Sequence, residues 1–413
     1  MLTHDSYIIL TKRSKKFYTC CVIMFDLVFI LKAGHGEEVL GMNIYGSKEL
    51  MEDVISRDMC IGCGACNYLC PYFRPYRGKV AMLFPCVIDK GRCWAYCPKA
   101  EVDLEELSKI LYGKAYKGDP LGSYEEIRIS RAGPRMVTKG DFQAGGTVSS
   151  IISLALKKGY ISSAVLTDRK GILPVPRIVT SPEEVLECST SKYTAAPTLA
   201  AFNQAVKDGY RNIGVVGTPC QVLAVAQMRS NPMEDNDFED PTGLVLGLFC
   251  TWALDYRAFE RFITKRVDIE RIKKVDIPPP PAEIMEVYSD DGAKMEIPLD
   301  EVRKLVPETC SYCTDMTSEF ADISVGVLEG RPDMNTLIVR TKRGKAIVDE
   351  AVREGFLVVE DMPEENLEHL RWAAGNKKQR ALRKLQEAGL VNTSNGKRSI
   401  LRLSPKTLKG IIA

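Results

Sequence analysis

The chain has 413 residues, 45% of them apolar, enough for packed cores in roughly two or three domains. A formal charge of +2, from 56 basic and 54 acidic residues, gives no electrostatic footprint for nucleic acid or an anionic membrane. Three histidines, His4, His35 and His369, form no local cluster, which disfavours a histidine-rich metal site and leaves few candidates for histidine acid–base chemistry.

The first element is an N-terminal extension, residues 1–54. Its apolar run from Tyr18 to Leu31 is interrupted by Asp26 and is too short to span a bilayer. Lys12, Arg13, Lys15 and Lys16 precede it, as in a signal peptide. That reading is disfavoured, because the fourteen cysteines of the chain are spaced for bound metal in a reducing compartment, the cytoplasm. Two readings stand for the extension: a start placed upstream of a true start at Met42, or an arm that docks on a partner.

Residues 55–100 carry seven cysteines. Cys60-Ile-Gly-Cys63-Gly-Ala-Cys66-Asn-Tyr-Leu-Cys70-Pro71 has the C-x2-C-x2-C-x3-C-P spacing that bacterial ferredoxins use for cubane iron–sulfur clusters. Zinc usually takes two separated C-x2-C pairs, so it fits poorly. Cys60, Cys63, Cys66 and, across a pseudo-twofold, Cys97 are expected to hold the first 4Fe-4S cluster. The second half-motif is degenerate, with Asp89 and Lys90 where a cysteine would stand. Cys70, Cys86 and Cys93 are left for a second cluster, with Asp89 within reach. This set is compatible with a 3Fe-4S cluster or with a cubane held by aspartate. Alternatively, Cys86 is a core cysteine and no second cluster binds.

Residues 101–125 read as a helix, Leu104–Leu111, followed by a linker. From residue 126 strands and helices alternate. Ile127–Ser130, Ala164–Thr167, Asn212–Val216, Gly243–Phe249, Ala321–Val325 and Leu337–Arg340 read as strands. Val148, Ile151, Ile152, Ala155 and Leu156 mark an amphipathic helix. Further helices are expected from about Pro197 to Lys207 and over Tyr256–Lys265. Glu286–Ser289 and Lys294–Pro298 flank Asp290-Asp-Gly292, a hairpin signal. Pro278–Pro281 is a rigid turn, and Glu364–Glu387 a long charged helix. The boundaries expected are 126–235 and 236–392 for two halves of one domain and 393–413 for a tail.

Two dispersed constellations lie in this region. Gly217-Thr-Pro-Cys220-Gln ends a strand and opens a helix, Cys250 ends another strand, and Cys310-Ser-Tyr-Cys313 precedes a third. These four thiols could converge at the edge of an α/β sheet, where ligands commonly bind. Taken singly, Cys220 and Cys250 read more often as small core residues. Gln143-Ala-Gly145-Gly146-Thr147 stands just before the amphipathic helix, where backbone N–H groups and the helix dipole favour a phosphate. Ser191-Lys192-Tyr193-Thr194 adds hydroxyls and a cation. Each is also compatible with an ordinary turn, and the G-x-G-x-x-G fingerprint is absent.

Together, Gln143–Val148, Ser191–Pro197, Gly217–Gln221, Gly247–Cys250, Cys310–Asp315 and Phe320–Gly326 resemble the beta subunit of coenzyme F420-reducing hydrogenase and its relatives in F420H2 dehydrogenases and F420-linked formate dehydrogenases. The match runs from about Ile127 to about Asn392. It departs from the family's pattern at Ala144, before the paired glycines, and over Val327–Asn335, which lacks a Gly-Trp pair. The ferredoxin-like module looks like that of the F420H2 dehydrogenase input subunits.

The resemblance implies an α/β fold, α+β overall: a two-cluster ferredoxin-like module, a mixed α/β flavin-binding domain and a C-terminal helix. It implies FAD at Gln143, Gly145, Gly146 and Thr147 and at Ser191, Lys192, Tyr193 and Thr194. It also implies a cubane on Cys220, Cys250, Cys310 and Cys313, coenzyme F420 as substrate, and metabolism like that of methanogenic archaea. The cofactors would carry the chemistry, with no side chain required as acid or base. Expected partners are other subunits of a hydrogenase, heterodisulfide-reductase-like or dehydrogenase complex, with no transmembrane span in this chain. The rival readings are a related FAD and iron–sulfur reductase that does not use F420, and a pure electron relay.

Overall fold

The computed structural model describes residues 43–136, 144–279, 281–393 and 397–413, and its centre is a sheet of eight strands. Residues 1–42 of the expected N-terminal extension and Gln143 lie outside the described residues. In chain order the strands are β1 Glu126–Ala132, β2 Ser163–Lys170, β3 Leu173–Val179, β4 Ile213–Gly217, β5 Thr242–Leu248, β6 Ile323–Val327, β7 Asn335–Val339 and β8 Leu357–Asp361. They lie in the order β8-β1-β7-β6-β5-β4-β2-β3. The four central strands β2, β4, β5 and β6 are parallel, and the outer pairs are antiparallel.

Register explains why the central strands are apolar throughout. Val165, Val215 and Val245 stand side by side on one face. Leu199 and Phe202 of the helix Thr198–Lys207 cover them, with Val222 and Val225 of the helix Pro219–Arg229. Val216, Leu246, Ile323 and Val339 form the matching row on the opposite face. That row packs on Ile151, Ile152 and Ala155 of the helix Thr147–Lys157 and on Ile347, Val348 and Ala351 of the helix Lys342–Arg353. Strands buried on both faces have no polar side, the pattern of a parallel sheet covered by helices. Strand β3 carries Pro174 and Pro176 and accordingly sits at the sheet edge, where the missing N–H groups break no ladder.

The connections place function-bearing segments at one edge of the sheet. Thr218–Cys220 follows the carboxyl end of β4 and Cys250 that of β5. Asn335 opens β7 opposite Val327 at the end of β6, and Ser130 of β1 pairs with Asn335. This is the carboxyl edge of the parallel strands, where open α/β sheets bind ligands.

Two smaller parts flank the sheet. Ile272–Asp276, Ile284–Ser289 and Lys294–Pro298 form an antiparallel sheet with a core of its own around Phe259, Met285 and Val302. The cysteine-rich segment contains a hairpin, Phe73–Tyr76 with Lys79–Met82, over a core of Leu50, Val54, Phe73 and Trp94. Its loop is tied to the main domain. The Leu199 N–H donates to the Cys63 carbonyl at 3.0 Å, and Asn203 Nδ2 donates to the carbonyls of Ala65 at 2.9 Å and Asn67 at 2.8 Å.

The helix Leu104–Tyr112 buries Leu104 and Leu107. Leu401 of the tail pairs in parallel with Val102. The tail therefore returns to the start of residues 101–125. Among the described residues, no helix is long and apolar enough to cross a membrane.

Candidate cofactor and electron-transfer site

Gly145 and Gly146 are both required where they stand. A Cβ on Gly145 would lie 2.9 Å from the Asp333 carbonyl oxygen and 3.0 Å from Asn335 Oδ1 and the Ser130 carbonyl oxygen. Gly146 caps the helix Thr147–Lys157 with φ of 77°, a left-handed conformation that favours glycine. Thr147 is buried, and its hydroxyl lies 2.9 Å from Ser130 Oγ. Its N–H donates to Asn335 Oδ1 at 3.3 Å. Gly146, Val148 and Ser149 line a cavity, so the start of the helix, with its positive dipole end, faces open space.

Ser191–Thr194 lines the same cavity. The Lys192 ammonium donates to the carbonyls of Cys188 at 2.7 Å and of Ser189 and Thr190 at 2.9 Å, which uses all three of its N–H groups to shape its own loop. Burial pulls its pKa down to about 8, against the opposing pull of Cys188 and Asp168. The Tyr193 hydroxyl accepts from the Ile277 N–H at 3.0 Å, and Thr194 bridges to Leu254, joining the loop to the smaller sheet.

The four dispersed cysteines meet. Burial raises Cys250, and Cys220, Cys313 and Cys310 raise it further. Burial likewise pushes Cys220 up to about 11, with Cys313 and Cys310 adding to it and the Thr218 hydroxyl, 3.3 Å from its sulfur, opposing. The local sequence explains the placement. Thr218 and Gln221 form a capping box around Pro219 at the helix start, and Gln221 Nε2 donates to the Ala196 carbonyl at 2.8 Å. Asp315 turns the chain after Cys313: its carboxylate accepts from the N–H groups of Thr317, Ser318 and Glu319 at 2.8–2.9 Å.

The ferredoxin-like cysteines form two further neighbourhoods. Burial raises Cys63 and Cys66, and Cys60 and Cys97 raise both. Burial holds Cys97 up at about 12. The Gly62 N–H points to the Cys60 sulfur at 3.4 Å. Burial sets Cys93 at about 11, with Cys70 and Cys86 adding to it. Asp89 is exposed on the loop between them. Cys220 raises Cys63, so the first of these groups adjoins the group on the main sheet.

Among the described residues, no three His, Cys, Asp or Glu side chains close on a point fit for one metal ion. The thiols act on one another electrostatically within each group, and sulfur donors suit iron–sulfur chemistry.

One cavity of about 1400 Å³ reaches from Gly146 and Ser191–Thr194 to Cys220, Cys250, Cys310 and Cys313, and on to Cys60 and Cys63. It is larger than the roughly 300–1,000 Å³ of an ordinary small-molecule site. Sequence reasoning missed Asn335, Asn203 and Lys377. For Lys377 a signal existed: two lysines, Lys377 and Lys378, interrupt a buried stripe of Ala374, Ala381, Leu382 and Leu385. Lys377 Nζ donates to the Cys250 carbonyl at 2.6 Å. Burial works to lower its pKa, but Cys313, Cys250 and Asp315 outweigh it and the direction is up.

Comparison with known proteins identifies the family. Residues 136–203 match the family model described as coenzyme F420 hydrogenase/dehydrogenase, beta subunit N-term, and residues 210–365 match its C-terminus. The beta subunit of a coenzyme F420 hydrogenase of Methanococcus voltae is 30% identical over 244 residues, 58% of this chain and 85% of that one. One of the subunits of the F(420)H(2) dehydrogenase of Methanosarcina mazei is 29% identical over 326 residues, 76% of this chain and 88% of that one. A chain of the F420-reducing [NiFe] hydrogenase complex from Methanosarcina barkeri has a similar structure. Its TM-score is 0.60 at 25% identity, over 65% of this chain and 93% of that one. On the two family-model matches and the extent of these similarities, the chain belongs to the family of coenzyme F420 hydrogenase/dehydrogenase beta subunits.

Proposed function

We propose that this chain is a flavin and iron–sulfur subunit that moves hydride between coenzyme F420 and FAD and passes single electrons to or from a partner subunit in the cytoplasm. The observation that carries this reading is the single cavity joining the helix start at Gly146, the Ser191–Thr194 loop and the four cysteines of the main sheet. FAD, when bound, supplies the exchange between a two-electron hydride and single electrons. The relatives named above are subunits of a hydrogenase and a dehydrogenase, which supports a multisubunit setting.

The residues divide the work. The helix start at Gly146–Ser149 offers N–H groups and a positive dipole end to a pyrophosphate. Ser191, Tyr193 and Thr194 line the same cavity, and Lys192 holds their loop's shape and adds its charge. Cys220, Cys250, Cys310 and Cys313 would hold a 4Fe-4S cluster beside the flavin. Cys60, Cys63, Cys66 and Cys97 would hold the next, and Cys70, Cys86 and Cys93, with Asp89, the last. The contact between Cys63 and Cys220 neighbourhoods supports an electron route in that order.

The test is iron and flavin quantification on the anaerobically purified chain, with an assay of F420H2 oxidation by an artificial dye. Cys220→Ala and Cys310→Ala should each lose about four irons, keep FAD and its reduction by F420H2, and slow electron exit. Unchanged iron and unchanged exit would reject the ligand set, and FAD that F420H2 does not reduce would reject the substrate.

A further inference from the structure

Lys377 stands within the helix Glu364–Glu387 and is 6% exposed. Its ammonium donates to the Cys250 carbonyl at 2.6 Å and to the Asp315 carbonyl at 2.8 Å. Both are neutral acceptors. Among the described residues no carboxylate forms an ion pair with it, and the Asp315 carboxylate is occupied by three backbone N–H groups. The next residue, Lys378, is the contrast: it is more deeply buried, 1% exposed, but pairs with Glu319 at 2.6 Å. A buried charge without a counter-charge is costly. Lys377 lines the main cavity and also a second one of about 420 Å³, and Cys310 and Cys313 line both. The groups left to balance its charge are the neighbouring sulfurs of Cys313 and Cys250 and, without an ion pair, the Asp315 carboxylate.

From this juxtaposition we infer that Lys377 is the fixed counter-charge of the cluster on Cys220, Cys250, Cys310 and Cys313 and sets that cluster's reduction potential. The inference rests on the ligand set proposed above. Uptake of one electron adds one negative charge to the cluster and removes nothing from the protein. A buried cation nearby therefore stabilises the reduced form more than the oxidised form, and in a low-dielectric site this acts strongly. Lys377 makes the potential more positive than the same sulfurs would give alone and so favours electron flow from flavin to this cluster. It touches no reacting atom, and is a positioning residue that acts through charge. The two carbonyl bonds give it a bracketing role as well, joining the Cys250 loop to the turn after Cys313.

Charge and bracket separate in two variants. Lys377→Gln keeps an N–H donor and removes the charge, and Lys377→Arg keeps the charge. Each is purified anaerobically, assayed for iron and titrated with electron paramagnetic resonance detection. The relevant signal is the one missing from Cys310→Ala. The expected result is full iron in both variants, a shift of that one midpoint to more negative potential in Lys377→Gln, and a near-native midpoint in Lys377→Arg. Loss of that cluster from the glutamine variant alone also supports a need for the charge. Full iron with an unshifted midpoint in Lys377→Gln, or loss of the cluster from both variants, leaves only the bracket and overturns the inference. If Cys310→Ala lacks no signal, the ligand set itself is wrong, and the two failures are told apart.

Discussion

The N–H of Leu199, in the first turn of the helix Thr198–Lys207, donates to the carbonyl of Cys63 at 3.0 Å. A cysteine loop of the ferredoxin-like module is thus seated on a helix N-terminus of the main domain, with Asn203 one turn further on holding the carbonyls of Ala65 and Asn67. Two groups of cysteines that are far apart in sequence are fixed relative to each other by this seat. In electron transfer a fixed separation matters more than affinity, because the rate depends on the gap between centres.

Gly64 is the position where that seat is most easily broken. Its φ is +87°, and a Cβ would lie 2.6 Å from the Ala200 nitrogen and 2.8 Å from the Pro197 oxygen. Gly64→Ala should cost about 1–2 kcal/mol for the left-handed conformation and about 1–3 kcal/mol for the overlap. The loop should lift from the helix, with iron falling by about four per chain while flavin is retained. Thermal unfolding and iron assay measure the two effects, and native iron at native stability would show that the seat tolerates displacement.

Lys192 should make the proposed flavin site sensitive to pH. Its pKa in the ligand-free chain is lowered to about 8 by burial, and the groups facing it are Cys188, Asp168 and Arg169. A bound pyrophosphate stabilises the ammonium and raises that value, so binding takes up a proton. FAD affinity should therefore be constant below pH 8 and fall as pH rises from about 8 toward the higher pKa of the complex. Lys192→Met should bind FAD roughly tenfold more weakly at pH 7, a change of about 1.4 kcal/mol, and its affinity should be flat over the same range. Titrations of flavin fluorescence at several pH values give both results. A methionine variant that keeps the wild-type slope would move the pH dependence to another group.

Much of this was legible in the sequence where local chemistry decides the structure. The helix Glu364–Glu387 and the strand Lys294–Pro298 have the expected bounds, and Asp290-Asp-Gly292 does turn a hairpin, with Gly292 at φ of 82°. Thr218, Pro219 and Gln221 announce a capped helix start, and the cap delivers Cys220 to its neighbours. What was not legible depends on partners distant in the chain. Strand β3 was not expected: it carries Pro174 and Pro176, and proline argues against a strand unless the strand lies at a sheet edge. The helix Lys342–Arg353 opens on Lys342, Arg343 and Lys345, and its apolar face of Ile347, Val348 and Ala351 is short. Asn335 bonds Thr147, and Lys377 bonds Cys250, across 188 and 127 residues; no local pattern encodes such pairs.

The second ferredoxin-like centre should be the unusual one, and the structure sharpens the reason. Cys70, Cys86 and Cys93 lie in one neighbourhood. The loop that carries Asp89 is pinned on both sides: the Gly91 N–H donates to the Tyr45 carbonyl at 2.9 Å, and a Cβ on Gly46 would meet the Ile88 carbonyl oxygen at 2.2 Å. Asp89 therefore has a set position, exposed to water, on the stretch between two of the three cysteines. A carboxylate is a harder ligand than a thiolate and holds iron of this kind less tightly, and exposure lets water compete for the same corner. One iron should be lost on mild oxidation, leaving a 3Fe-4S signal in the electron paramagnetic resonance spectrum of the oxidised wild-type chain. Asp89→Cys supplies the missing thiolate at an unchanged backbone position, and should replace that signal with a stable cubane and raise the iron count by about one. Asp89→Ala should keep the 3Fe-4S form under all conditions. If the wild type gives no such signal and Asp89→Ala has an unaltered spectrum and full iron, the fourth ligand comes from outside this loop, and a partner subunit would be the next place to look.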